Sequence, residues 1–96
     1  MRDNAEEERF EAVDESGVVA GFAAYRRKTG HHPGDIGQVT FTHTVVDDAF
    51  EGHGVGSTLV GSALDAVRRE GLRVVPRCPF VAGYIHRHPE YADLVE

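Results

Sequence analysis

Ninety-six residues, 41% of them apolar and 27% charged, leave room for one hydrophobic core and are too apolar for a chain that stays unfolded. Ten Lys and Arg against sixteen Asp and Glu give a net charge of −6, a field that repels polyphosphate backbones and excludes nucleic acid as a partner. The lone cysteine, Cys78, excludes an internal disulfide and a multi-thiolate zinc site, and the longest apolar run, Val18 to Tyr25, is far too short to cross a membrane.

Met1 to Glu8 is charged, aperiodic and without a hydrophobic signal core, so it reads as a disordered acidic lead-in. A single domain over residues 9–96 follows, in a soluble, cytoplasmic protein. Phe10 to Val13 and Gly17 to Arg27 are rich in Val, Phe, Ala and Tyr, and the polar Asp14-Glu15-Ser16-Gly17 joins them as a β-hairpin. Lys28 to Asp35, which contains His31 and His32, is an exposed loop. Gln38 to Val46 alternates as a strand, with Val39, Phe41, His43 and Val45 expected on one face and Gln38, Thr40, Thr42 and Thr44 on the other. His43 thereby stands in an otherwise apolar row.

From Gly54 to Glu70 the spacing turns helical, with Val55, Leu59, Val60, Ala63, Leu64 and Val67 as one stripe and Gly71 as its stop. Leu72 to Val75 is a short strand of the parallel type, so residues 38–75 form a right-handed βαβ unit. Pro79 suits the first position of a further helix, running to about His86, with Cys78 at its cap.

The densest chemical signal is Glu51-Gly52-His53-Gly54-Val55-Gly56-Ser57, which lies between a strand and an amphipathic helix. Glycines there let a ligand approach the main chain, where the unpaired amides of the first helical turn and the helix dipole favour a phosphate or diphosphate. Neither the dinucleotide fingerprint nor the Walker spacing is present. A glycine turn that only permits close strand-to-helix packing remains the plainer explanation.

Cys78, at a helix N-terminus beside Arg77, is either a reactive thiol or a small buried apolar residue. His43 is either a core histidine or a general base, and both side chains lie near the C-terminal strand ends where parallel units bind ligands. His86 and His88 lack the partners of a zinc site, so no metal is expected. Arg68, Arg69 and Arg73 either reach an outlying phosphate or cover a solvated helix surface.

Three segments, Thr42-His43-Thr44-Val45-Val46, Glu51 to Gly56 and Arg77-Cys78-Pro79-Phe80, together resemble the GNAT superfamily of acetyl-CoA-binding N-acetyltransferases. The likeness is to its small, single-domain YjdJ-type branch, and it covers the chain from Phe10 onward. Gly54 and Gly56 match the superfamily loop, while Glu51 stands where that loop carries Gln or Arg.

The resemblance implies a minimal α/β (α+β) fold: an antiparallel meander, one parallel strand with a crossover helix, and a C-terminal helix. It implies acetyl-CoA as co-substrate, with its diphosphate on amides among Gly52, His53, Gly54, Val55, Gly56 and Ser57 and its pantetheine arm along Val45 and Val46. Backbone donors near Val45 would polarise the thioester carbonyl. It implies His43 as base, Cys78 as acid or acyl-accepting nucleophile, and Tyr84 as a less favoured acid. The reaction implied is N-acetylation of an unidentified amine, protein or small molecule, by a monomer or weak homodimer. A non-catalytic CoA or acyl-CoA sensor, or a partner-binding module, is the alternative.

Overall fold

The Asp14 carboxylate closes a hairpin, its Oδ1 accepting from the N–H groups of Ser16 at 2.8 Å and Val18 at 2.9 Å. That turn joins β2 (Arg9–Val13) to β3 (Val19–Lys28) in the computed structural model, which describes residues 1–28, 37–52 and 54–95. The loop histidines His31 and His32, and His53, lie outside the described residues.

With β1 (Arg2–Asn4), β4 (Gln38–Val46) and β5 (Arg73–Pro76), these strands form one sheet in the order β1-β2-β3-β4-β5. The first four strands are an antiparallel meander, and β5 runs parallel to β4. Helix α1 (Val55–Glu70) makes the crossover, and α2 (Pro79–Arg87) follows β5, which is the α+β architecture expected. Gly71, with φ 72°, ends α1 in the left-handed conformation and donates to the Arg68 carbonyl. No helix among the described residues is long and apolar enough to cross a membrane.

Residues 2–4 depart from the lead-in expected of them by forming β1. Their charges lack periodicity, but they are complementary across strands. Arg2 lies opposite Glu11, whose carboxylate is 1% exposed. It accepts from Arg2 Nε at 2.8 Å, Arg9 Nε at 2.7 Å and Asn4 Nδ2 at 3.2 Å. On the other side of β1, Asp3 accepts from the Tyr25 hydroxyl and from Arg27, which also pairs with Glu70 at the end of α1. Without β1 the buried carboxylate would keep only Arg9 of its own strand and lose the Arg2 and Asn4 donors, which would be costly, so β2 needs β1.

One face of the sheet carries the core. Phe10, Tyr25, Phe41 and Val39 pack against Leu59, Val60, Ala63, Leu64 and Val67 of α1 and Val81 and Ile85 of α2. The rings of Phe10 and Tyr25 sit 5.0 Å apart, and those of Phe10 and Phe41 6.1 Å. A 3-10 turn, Pro89–Leu94, then folds back on α1. Arg68 holds the Asp93 carboxylate through two 2.9 Å bonds, Tyr91 donates to Asp65 at 2.7 Å, and Val95 bridges to Val74 at the β5 edge.

The Arg2 hydrogen bond, opposed by desolvation and reinforced by Arg9 and Asn4, holds the Glu11 carboxyl at about 2, down from 4.5. A depressed carboxyl contributes stability that is fully present above its unfolded value and is lost as pH falls through its folded value. Wild-type stability should therefore decline between 4.5 and about 2 in part through Glu11. Glu11→Gln should cost about 1–3 kcal/mol at neutral pH and flatten that acid limb, as read by urea titrations at neutral pH and in acid.

Candidate active site

Strand β4 outruns its parallel partner. The ladder to β5 extends only from Gln38↔Arg73 to Phe41↔Pro76, and the last bond between the two segments is Cys78 N–H to the Phe41 carbonyl at 2.9 Å. Pro76 brings no N–H, the Arg77 N–H turns back to Val75, and Pro79 starts α2, so the chain leaves the sheet there. No strand among the described residues pairs with Thr42 to Val46 on that side.

Asp47 N donates to Ala20 O across the β3 side, so the alternation of the strand turns the main-chain groups of Val46 toward the open edge and those of Val45 toward β3. Gly21 permits this closeness, because a Cβ built there would stand 2.7 Å from the Val45 carbonyl oxygen.

Immediately beyond β4, the Asp47 side chain accepts from Ala49 N at 2.9 Å and winds a 3-10 turn, Asp48–Phe50. Gly52 and Gly54 follow with φ of 83° and 73°, left-handed values that a side chain would strain. Gly54 is the N-cap of α1, and the Thr58 N–H to Gly54 carbonyl bond of 3.0 Å leaves Val55, Gly56 and Ser57 amides without a partner inside the helix.

These residues border a cavity of ≈ 300 Å³ whose walls include Val46, Phe50, Glu51 and Phe80. Phe80 is 39% exposed, and its ring lies on Gly56, where a Cβ would come within 2.7 Å of it. An uncapped helix N-terminus, backbone without side chains and an open strand edge thus face one space. That combination has the chemistry to suit an anion with an extended polar tail.

Cys78, the N-cap of α2, is 2% exposed and does not line the cavity; its Sγ lies 3.4 Å from Thr44 Oγ1 on the neighbouring stretch of β4. Thr44 faces the core side, although the alternation of the sequence assigns Val39, Phe41, His43 and Val45 to that side. The reason is a β-bulge. Tyr25 lies opposite Phe41 but Ala24 opposite His43, so Thr42 is an extra residue in β4 and every later side chain changes face. Val39 and Phe41 are buried as expected, whereas His43 is exposed and Val45 is 44% exposed.

His43 therefore does not meet Cys78. It lies on the helix-free face, edge-on to Phe22 with ring centroids 5.8 Å apart. There it borders a groove of ≈ 260 Å³ with Phe22, Ala24, Arg26 and Glu7.

Tyr84 is also apart from Cys78, about 9 Å further along α2. Its hydroxyl rests on Gly61 of α1, where a Cβ would lie 2.6 Å away, and its ring stacks on His88 at 4.2 Å. Burial, aided by the Glu90 and Asp65 carboxylates, pushes the Tyr84 hydroxyl up. Arg68 and Arg73 are engaged by the C-terminal segment, Arg73 Nη2 donating to the Val95 carbonyl at 3.2 Å. Sequence reasoning missed Thr44, Phe50 and Phe80 as site residues. Phe80, an aromatic directly after a helix-starting proline, carried the one usable signal.

Fold and cavity together define an α+β domain with an uncapped helix N-terminus beside a parted pair of parallel strands. The family model described as GCN5-related N-acetyl-transferase matches residues 9–94, and the chain belongs to that family. In structure it is similar to a GCN5-like protein from Staphylococcus aureus solved by NMR, with a TM-score of 0.65 at 22% identity, covering 94% of this chain and 82% of that one. That likeness is one of fold. No curated protein matches the sequence.

Because the Val45 carbonyl is backbone and has little room to retreat, Gly21→Val should destabilise the protein by about 1–3 kcal/mol. It should also move the Val46 amide resonance. Chemical denaturation and an amide spectrum read the two effects.

Proposed function

We propose that this protein transfers an acetyl group from acetyl-CoA to a primary amine, as a member of the small YjdJ-type branch of its family. The observation that carries the reading is the meeting of the Val55, Gly56 and Ser57 amides with the open edge of β4 in one cavity. The glycines suit a bulky diphosphate, since a Cβ at Gly54 would meet nothing within 4 Å and the N-cap itself offers no competing side-chain acceptor. Acetyl-CoA supplies an activated thioester when bound.

The amides of Gly54 to Ser57, with Gly52 just before them, hold the diphosphate. The Val46 main chain pairs with the pantetheine amides, while Val45 supports this edge through its bonds to β3. Main-chain donors at the open edge polarise the thioester carbonyl, where negative charge develops during attack.

His43 acts from the helix-free face as general base. As the amine nitrogen bonds to the carbonyl carbon and the carbon–sulfur bond breaks, the imidazole takes the amine proton. Cys78, beneath the open edge, gives the departing thiolate its proton and recovers one from solvent. Its burial against Thr44 favours that donor role over acyl acceptance. Tyr84, facing Gly61, serves the packing of α2 on α1 in this scheme.

Titrating 15N-labelled protein with CoA should move the amide resonances of Gly54, Val55, Gly56, Ser57 and Val46. Resonances that stay in place at millimolar CoA would overturn the reading.

Gly54→Val, which forces a β-branched residue to a φ of 73°, should weaken CoA binding at least tenfold. Cys78→Ala should leave CoA binding within about twofold and lower turnover by roughly 10²-fold or more. A Cys78→Ala protein that turns over at the wild-type rate would remove the proton donor from the scheme. A protein that binds CoA and never turns over with any amine would instead be a sensor.

A further inference from the structure

The extra residue of the β4 bulge carries a hydroxyl, and that hydroxyl touches two groups. Thr42 Oγ1 lies 3.3 Å from the Ala24 carbonyl oxygen and 3.3 Å from Nδ1 of His43. A carbonyl oxygen only accepts, so the two contacts are hydrogen bonds together when the single hydroxyl proton of Thr42 goes to Ala24. Its oxygen then has only lone pairs to offer the imidazole. Neutral His43 can satisfy that contact in one tautomer, with the proton on Nδ1 and the lone pair on Nε2.

Ala24 is the residue opposite His43 in the ladder, so the same register that turns His43 onto the helix-free face also supplies the acceptor that orients the Thr42 hydroxyl. Phe22 stands edge-on to the same ring, with centroids 5.8 Å apart.

We propose that Thr42 is a positioning residue for His43, holding it in the Nδ1–H tautomer so that Nε2 is the basic atom presented to an amine arriving over the helix-free face. The catalytic part of this assignment rests on the proposed function; the tautomer does not. The chemistry needs such a device. An imidazole that exchanges freely between tautomers presents a lone pair at the working nitrogen only part of the time, and an orienting partner removes that loss. Glu7 and Glu8, Arg9 and Arg26 border the same groove as His43, with Arg26 paired to Glu8 at 2.8 Å and Arg9 to Glu11 at 2.7 Å. Among the described residues none of these four hydrogen-bonds to the imidazole, so the orienting contact comes from Thr42.

The test is the 15N spectrum of the His43 ring, recorded in the intact protein at about pH 8.5, above the ordinary imidazole range. Wild type should show a protonated Nδ1 and an unprotonated Nε2. Thr42→Val, nearly isosteric but without the hydroxyl, should shift the ring toward a mixture of tautomers, and Thr42→Ser should restore the wild-type pattern.

With acetyl-CoA and n-butylamine as the probe pair, and product followed by mass, Thr42→Val should lower kcat/KM by roughly tenfold and Thr42→Ser by less. Both losses should be smaller than that of His43→Gln. A wild-type ring protonated on Nε2, or a Thr42→Val ring with the wild-type pattern, overturns the assignment whatever the activity. Unchanged turnover in His43→Gln overturns the base on which the catalytic part rests and leaves the tautomer result standing, so the two failures are distinguishable. An amide spectrum of Thr42→Val that matches wild type away from β3 and β4 separates loss of the hydroxyl from loss of the fold.

Discussion

Among the described residues the fourth strand has no parallel neighbour past Phe41, and the main-chain groups on its open edge find no partner in the sheet. Two prolines bring this about. Pro76 brings no N–H where the ladder ends, and Pro79 sets the dihedral that starts α2, so β5 cannot follow β4 further. The opening is maintained by the core. Val39, Phe41 and Val74 are fully buried against α1 and α2, which pins the paired half of the ladder and leaves the parted half nothing to close upon. A strand edge held open in this way offers unpaired main-chain groups, the feature by which sheet edges elsewhere accept peptides and on which the proposed function rests.

The second ingredient is the approach of α1. Its N-terminus begins with a left-handed glycine and has no side-chain cap, so its dipole and first amides are presented to the same cavity that the open edge borders. Phe80 lies over Gly56 and Tyr84 over Gly61, contacts that a Cβ at either glycine would disturb. Small residues on α1 therefore set how closely α2 lies, and with it the width of the cleft between the two helical starts. The glycines at 56 and 61 serve helix packing, the plainer explanation drawn from such spacing, and the proposed anion approach uses the same arrangement.

Much of the site was legible along the chain and part of it was not. The loop from Glu51 to Ser57, the cap at Cys78 and the crossover helix announce themselves because each depends on residues within one turn of one another. His43 was legible as chemistry and misplaced in space. The period-two pattern of Gln38 to Val46 predicts a single inward face, and one extra residue at Thr42 reverses it from there on. Nothing local to Thr42 marks it as the bulge. β1 was illegible for a related reason: Arg2 and Asn4 read as a solvated charge run until Glu11, buried beside them in the next strand, makes their charges necessary.

Local chemistry along the chain is enough to set the Asp14 hairpin, the start and stop of α1, the proline that opens α2 and the parallel crossover, since each is enforced by steric and hydrogen-bonding demands of near neighbours. The side of the sheet that His43 occupies, its separation from Cys78, the contact of Cys78 with Thr44 and the strand made by Arg2 to Asn4 come from assembly. They depend on register and burial between segments distant in sequence, where a shift of one residue exchanges the two faces of a strand and one buried carboxylate decides whether its neighbours are ordered.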